Sequence, residues 1–98
     1  MAITSILELQ LKPGSPDAAH KVIHETLTAT RAFPGCLEVT VLVDEHDPSH
    51  VTLLETWESL ERDDAYRAWR ATPEGASGLG SVLAGAPKLT RYTLAEGV

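Results

Sequence analysis

The chain has 98 residues, 43% of them hydrophobic and 22% charged, a balance that fits one globular domain over 1–98 and argues against a disordered or membrane-embedded chain. Fourteen acids against eight bases give a formal charge of −6, and the bases are scattered from Lys12 to Arg91, so no clustered positive face is offered to nucleic acid or to an anionic membrane. Cys36 is the only cysteine, which excludes an intrachain disulfide and any multi-cysteine metal site.

Residues 2–11 alternate, with Ile3, Ser5, Leu7, Leu9 and Leu11 on one face and Thr4, Ile6, Glu8 and Gln10 on the other. That period of two predicts a half-buried strand, β1. The same stretch lacks a basic leader and a small-residue cleavage site, so it is not read as a signal peptide, and a cytoplasmic protein is expected. Lys12-Pro13-Gly14-Ser15-Pro16 is a turn, and Asp17 stands where a helix N-terminus favours a carboxylate. Ala19, Val22, Ile23, Leu27 and Phe33 then fall on one side of an amphipathic helix, α1, over 17–33, closed by Pro34-Gly35. Cys36 to Val43 resumes the strand period as β2, with Leu37, Val39, Val41 and Val43 on one face and Glu38 and Thr40 on the other.

A polar, proline-interrupted loop over 44–50 leads to β3, Val51 to Glu58, in which Val51, Leu53, Glu55 and Trp57 share a face. Ser59 is a fitting N-cap, and Glu61, Asp63 and Asp64 crowd the first turns of a second helix, α2, which runs to about Ala71 and stops at Thr72-Pro73. Residues 74–86 contain Gly75, Gly78, Gly80 and Gly85, so a short, weakly specified helix and a mobile flap are expected there, with Leu79, Val82 and Leu83 able to pack. After Pro87, Lys88 to Ala95 form the last strand, β4. The order βαββαβ is the ferredoxin-like α+β arrangement. A single antiparallel sheet covered by helices on one face leaves the other face needing cover, and a second copy of the chain supplies it most simply. A chain of this size buries only about 60 to 65% of its unfolded surface, so a homodimer would also gain stability.

Three pieces at characteristic spacing carry a resemblance: Phe33-Pro34-Gly35-Cys36-Leu37, Leu54-Glu55-Thr56-Trp57-Glu58-Ser59, and Ala65-Tyr66-Arg67-Ala68-Trp69 leading to Thr72-Pro73. Together they resemble the antibiotic biosynthesis monooxygenase family over nearly the whole chain. The resemblance implies a dimeric α+β barrel built from two identical subunits, with a pocket in each for a small aromatic or hydrophobic molecule. It further implies cofactor-independent oxidation of a phenolic or polycyclic aromatic substrate by O₂, of the quinone-forming type, with no cofactor and no metal. In the quinone-forming branch a pocket tryptophan matches Trp57, and a pocket tyrosine matches Tyr66 once about three extra residues within Leu60 to Asp64 are accepted. The arginine that acts in that branch falls near Leu79. In the haem-degrading branch Trp69 matches the tryptophan beside the haem, whereas the iron-binding histidine falls near Gly78 and the strand asparagine near Leu7, so haem oxygenation is not expected.

Oxygenation without flavin or metal needs a substrate that becomes an electron-rich phenolate or carbanion, in a site that stabilises the anion and excludes water. Tyr66, Trp57 and His24 are the catalytic candidates: a phenol that donates to an oxyanion, an aromatic wall, and an imidazole that accepts a proton near neutral pH. Trp69, Leu7, Leu79 and Arg91 are the candidate substrate contacts, Arg91 toward an anionic group. Each has a plainer alternative: core packing for Trp57, Tyr66 and Trp69, a solvated helix face for His20 and His24, and a strand-face ion pair for Arg91. Glu55 reads either as a buried base or as the partner of an arginine such as Arg91. His46 and His50 lie in an acidic loop that most simply is solvated. No Gly-rich phosphate loop opens a helix, so no nucleotide cofactor is implied. Two further functions use the same pocket, non-catalytic binding of a hydrophobic molecule and a non-oxidative isomerisation or cyclisation.

Overall fold

The computed structural model describes residues 1–98. In chain order the elements are β1 (Ile3–Gln10), α1 (Pro16–Ala32), β2 (Cys36–Val43), β3 (His50–Trp57), α2 (Leu60–Arg70), a 3-10 turn at Leu79–Val82 and β4 (Lys88–Thr93). The sheet runs β2-β3-β1-β4 with every neighbouring pair antiparallel, the ferredoxin-like order. None of the helices is long and apolar enough to cross a membrane.

Local chemistry sets the helix starts. Ser15 Oγ accepts from the Ala18 N–H and Pro16 fills the first helical position of α1, while Ser59 Oγ does the same for Arg62 N–H at the head of α2. Phe33 caps α1 in an extended conformation instead of continuing it, because Pro34 disfavours the helical state in the residue before it. Gly35 then takes φ +93°, and a Cβ there would sit 2.5 Å from Arg62 Cβ, so the turn into β2 packs directly beneath α2.

One face of the sheet carries both helices. Leu9, Val39, Val51 and Leu53 meet Ala19, Ile23 and Leu27 of α1 and Leu83 in one core cluster, and Ile3 and Trp57 meet Tyr66 of α2 in another. Two details depart from the sequence pattern. A bulge between Cys36 and Glu38 shifts the register, so Leu37 leaves the buried face expected for it, 57% exposed, and Cys36 stands opposite Trp57. Thr30, a polar residue on the inner side of α1, is fully buried.

The expected flap is fastened at its far end. Lys12 N–H donates to the Val82 carbonyl, Ala84 N–H donates to the Gln10 carbonyl, and Leu83 sits in the core 7% exposed. The opposite face of the sheet has no cover within the chain: Leu42 and Tyr92 are half exposed there, beside Ile6 and Leu54.

Candidate active site

Between the helix-bearing face of the sheet, α1, α2 and the 74–87 segment lies a cavity of ≈ 310 Å³. Strand periodicity points Leu7 of β1, Leu53 of β3 and Leu89 of β4 into it, Leu27 of α1 adds a side, and Leu79 and Pro87 close the rim. The remaining wall is polar. It comes from Glu55 on β3 and from Tyr66, Arg67 and Arg70 on consecutive turns of α2, with Thr26 and Ser77 at the edge.

Glu55 is 1% exposed, and its Oε1 accepts from Arg67 Nη2 at 2.7 Å and from the Trp57 indole N–H at 3.1 Å. Its Oε2 makes no hydrogen bond within the protein. Arg67 Nε lies 3.0 Å from Asp63 Oδ1 but off the hydrogen-bond axis, so that contact is an ion pair without a directed bond. Asp63, also fully buried, accepts from Ser5 Oγ at 2.8 Å and faces Arg91 Nε at 3.5 Å. Arg91 in turn binds Asp64. Five charges thus alternate between the sheet and α2, each buried acid facing a cation, the condition under which ionised groups survive desolvation.

Tyr66 is held differently. Its hydroxyl lies 2.6 Å from Thr30 Oγ1 and accepts from Arg70 Nε at 2.8 Å. Arg70 also donates to the carbonyls of Gly75 and Thr26 and to Thr30 Oγ1. The Arg70 guanidinium stacks over Trp69 at 4.9 Å and over Tyr66 at 5.2 Å. Phe33, Trp57, Tyr66 and Trp69 form one aromatic cluster, with the Trp57 and Tyr66 centroids 4.9 Å apart.

Of the residues singled out in the sequence, Tyr66, Leu7 and Leu79 line the cavity. Trp57 does not reach it: the ring is fully buried in the aromatic cluster, and its indole N–H serves Glu55 from below. Trp69 lines a neighbouring groove of ≈ 440 Å³ on the outer side of Arg70. His24 and His20 face a third depression with Arg31, Val41 and Val43 at the β2 edge, so a proton acceptor at His24 would be on the wrong side of α1. Arg91 is committed to Asp63 and Asp64, and the partner of Glu55 is Arg67 instead.

Arg67, Arg70 and Thr30 are the polar groups of the site that sequence reading did not single out. The i, i+4 pairs Asp63–Arg67 and Tyr66–Arg70 were the available signal, since side chains four apart on a helix meet. Away from the site, hydrogen bonds from the ring to Asp44 and Glu8 hold the His50 imidazole above its ordinary pKa, and the His50 bond holds Asp44 below the usual carboxylate range. Burial and the Glu55 charge push the Cys36 thiol up.

Residues 2–76 match the sequence model described as antibiotic biosynthesis monooxygenase. No curated protein matches the chain. Among solved structures, the chain is similar to Rv0793 from Mycobacterium tuberculosis, with 20% identity, all of both chains covered and a TM-score of 0.77. SnoaB from Streptomyces nogalater, a cofactor-independent oxygenase, shares 18% identity over 97% of this chain and 94% of its own at a TM-score of 0.78. A third, from Chloroflexus aurantiacus, shares 22% identity over 100% of this chain and 97% of its own, with a TM-score of 0.75. At these identities the structures speak to the fold, which they share with this chain from end to end, and the sequence match over most of its length makes the chain a member of the antibiotic biosynthesis monooxygenase family.

Proposed function

We propose that the chain is a cofactor-independent monooxygenase that oxidises a phenolic or polycyclic aromatic substrate with O₂ in the cavity beneath α2, and that it works as a homodimer. The observation that carries this reading is an apolar cavity of ≈ 310 Å³ with one polar wall, in a member of this family. SnoaB, a cofactor-independent oxygenase with the same fold, supports it.

The reaction balances without a cofactor: a methylene flanked by electron-rich rings reacts with O₂ to give a carbonyl and water, the substrate supplying every electron. The protein must take a proton, stabilise the resulting anion and keep water out. Glu55 Oε2 is the proton acceptor in this scheme, because Oε1 is occupied and Oε2 is free of protein donors. Trp57 and Arg67 are positioning residues that fix the carboxylate, and the leucines of β1, β3 and β4 supply the dry surround. In the dimer, the uncovered sheet face around Ile6, Leu42, Leu54 and Tyr92 packs against its copy. Light scattering on wild type and Leu42→Asp tests that assembly, a dimer and a monomer being the expected masses.

Oxygen uptake with reduced naphthoquinols and anthrones, using metal-free protein, tests the chemistry. Substrate-dependent uptake that falls about a hundredfold or more in Glu55→Gln, the lower end for losing a general base, is expected. No uptake across the panel overturns the reading. A second reading, a binding protein without turnover, is favoured by one observation: the Tyr66 hydroxyl is already engaged by Thr30 and Arg70. Ligand binding with no product would select it.

A further inference from the structure

We propose that the cavity takes its ligand as an anion, with a carboxylate or phenolate oxygen against Arg70 and Arg67 and the apolar body against Leu7, Leu53 and Leu79. This rests on the cavity being the ligand site, as above, and adds the charge of the ligand.

The guanidinium of Arg70 is part-buried and donates only to neutral acceptors, the Tyr66 hydroxyl, the Thr30 hydroxyl and the carbonyls of Thr26 and Gly75. No carboxylate lies within 4.0 Å of it; of the other arginines, Arg62, Arg67 and Arg91 each have one, and only Arg31, which is exposed, also lacks one. Glu25 and Glu74 line the outer groove beside Arg70, yet neither pairs with it. A cation drawn out of water without a counter-ion is costly, and an incoming anion removes that cost.

The cavity wall has the same sign. Arg67 and Arg70 against Glu55 leave one net positive charge among the residues that line it, in a chain whose formal charge is −6. Arg67 Nη1 makes no hydrogen bond within the protein, so a planar donor stands free beside the Glu55 contact. Four of the five Arg70 N–H groups are engaged, so Arg70 offers one Nη1 N–H and its charge beside the free Arg67 Nη1, donors that suit a carboxylate or the exposed oxygen of a phenolate. Location agrees with this. Thr26, Arg70 and Ser77 border both the cavity and the outer groove, so Arg70 stands between the inner space and solvent.

The test is calorimetric titration of the full chain with 2-naphthoate, 2-naphthol above its ionisation pH and the neutral isostere 2-naphthamide. Wild type is expected to bind naphthoate about tenfold more tightly than naphthamide, a difference that shrinks at about 0.3 M NaCl as screening sets in. Arg70→Gln should abolish the preference, and Arg70→Lys, which keeps the charge, should retain part of it. The naphtholate arm separates a requirement for charge from one for a carboxylate: tight naphtholate binding supports a phenolate ligand, and naphthoate alone supports an acid. Naphthamide binding wild type as well as both anions overturns the inference, and so does an Arg70→Gln protein, folded by circular dichroism, that keeps the full preference. Because the wild-type comparison needs no variant, a misfolded Arg70→Gln does not remove the test. Anion preference without oxygen uptake on any quinol would overturn the oxygenase reading alone, whereas oxygen uptake on neutral substrates without anion preference would overturn this inference alone. Failure of all three probes to bind overturns the ligand site and this inference with it.

Discussion

Replacing Glu55 tests the polar wall most directly. Its Oε1 holds two donors that have no other outlet of equal quality, Arg67 Nη2 at 2.7 Å and the Trp57 indole N–H at 3.1 Å. Glu55→Gln keeps the shape and one acceptor oxygen but turns a charge-assisted contact into a neutral one, a loss of about 1 to 1.5 kcal/mol. Glu55→Leu strands both donors. Breaking a fully buried pair costs about 3–5 kcal/mol, and here the figure belongs at the lower end, about 3 kcal/mol, because the Arg67 side chain is 23% exposed and keeps Asp63. For a domain of this size each kcal/mol moves Tm by about 4–8 °C, so the expected losses are about 4–12 °C for Gln and about 12–24 °C for Leu. Thermal denaturation followed by circular dichroism at one fixed protein concentration measures both, the fixed concentration being needed if the protein associates. The ranking should survive high salt, since a buried pair is little screened. Two variants melting within about 2 °C of wild type, below the smallest shift expected, would refute the ion-pair account of this wall.

Tyr66→Phe removes the group shared by Thr30 and Arg70 and should cost about 1–3 kcal/mol in urea unfolding; an unchanged midpoint would mean the hydroxyl has no structural partner. Gly75→Ala would place a Cβ against the Trp69 carbonyl oxygen and shift the carbonyl that receives Arg70, so a loss of about 1–3 kcal/mol of stability, a lower Tm and altered tryptophan fluorescence are expected, and a wild-type Tm would show that the turn relaxes freely. His50 faces Asp44 and Glu8, with Lys88 4.0 Å from Glu8. Because its folded pKa is raised above 6.5, its contribution is complete at pH values below 6.5 and is lost as pH rises through the raised value. Asp44, depressed below 3.8, contributes above 3.8 and is lost as pH falls through its lowered value. Tm measured from mildly acid to mildly alkaline pH should therefore decline more in wild type than in His50→Gln, and parallel curves would disprove the assignment.

Much of the architecture was legible in the chain itself, because period-two and helical spacing, Asp17 at the head of α1, Ser59 as a cap and Pro34-Gly35 as a stop act through neighbouring residues. The same local rules placed Glu55 and Trp57 on one face of β3 and Leu7 on the apolar face of β1, the strand pairing alone put those faces together, and the family resemblance drew attention to Tyr66. What pattern could not supply is which groups meet. Leu37 left its predicted face because a bulge depends on how β2 pairs with β3. Trp57 became a support for Glu55, and Arg67 displaced Arg91 as its partner, because 12 residues of chain separate Glu55 from Arg67 and only the packing of α2 on β3 brings them together. His24 fell outside the cavity, facing Val41 and Val43 of β2 instead, and Arg70 came to meet only hydroxyls and carbonyls where α2 packs beside α1. Periodicity reports which side of an element is wet; distances between charges on different elements arise only when those elements dock.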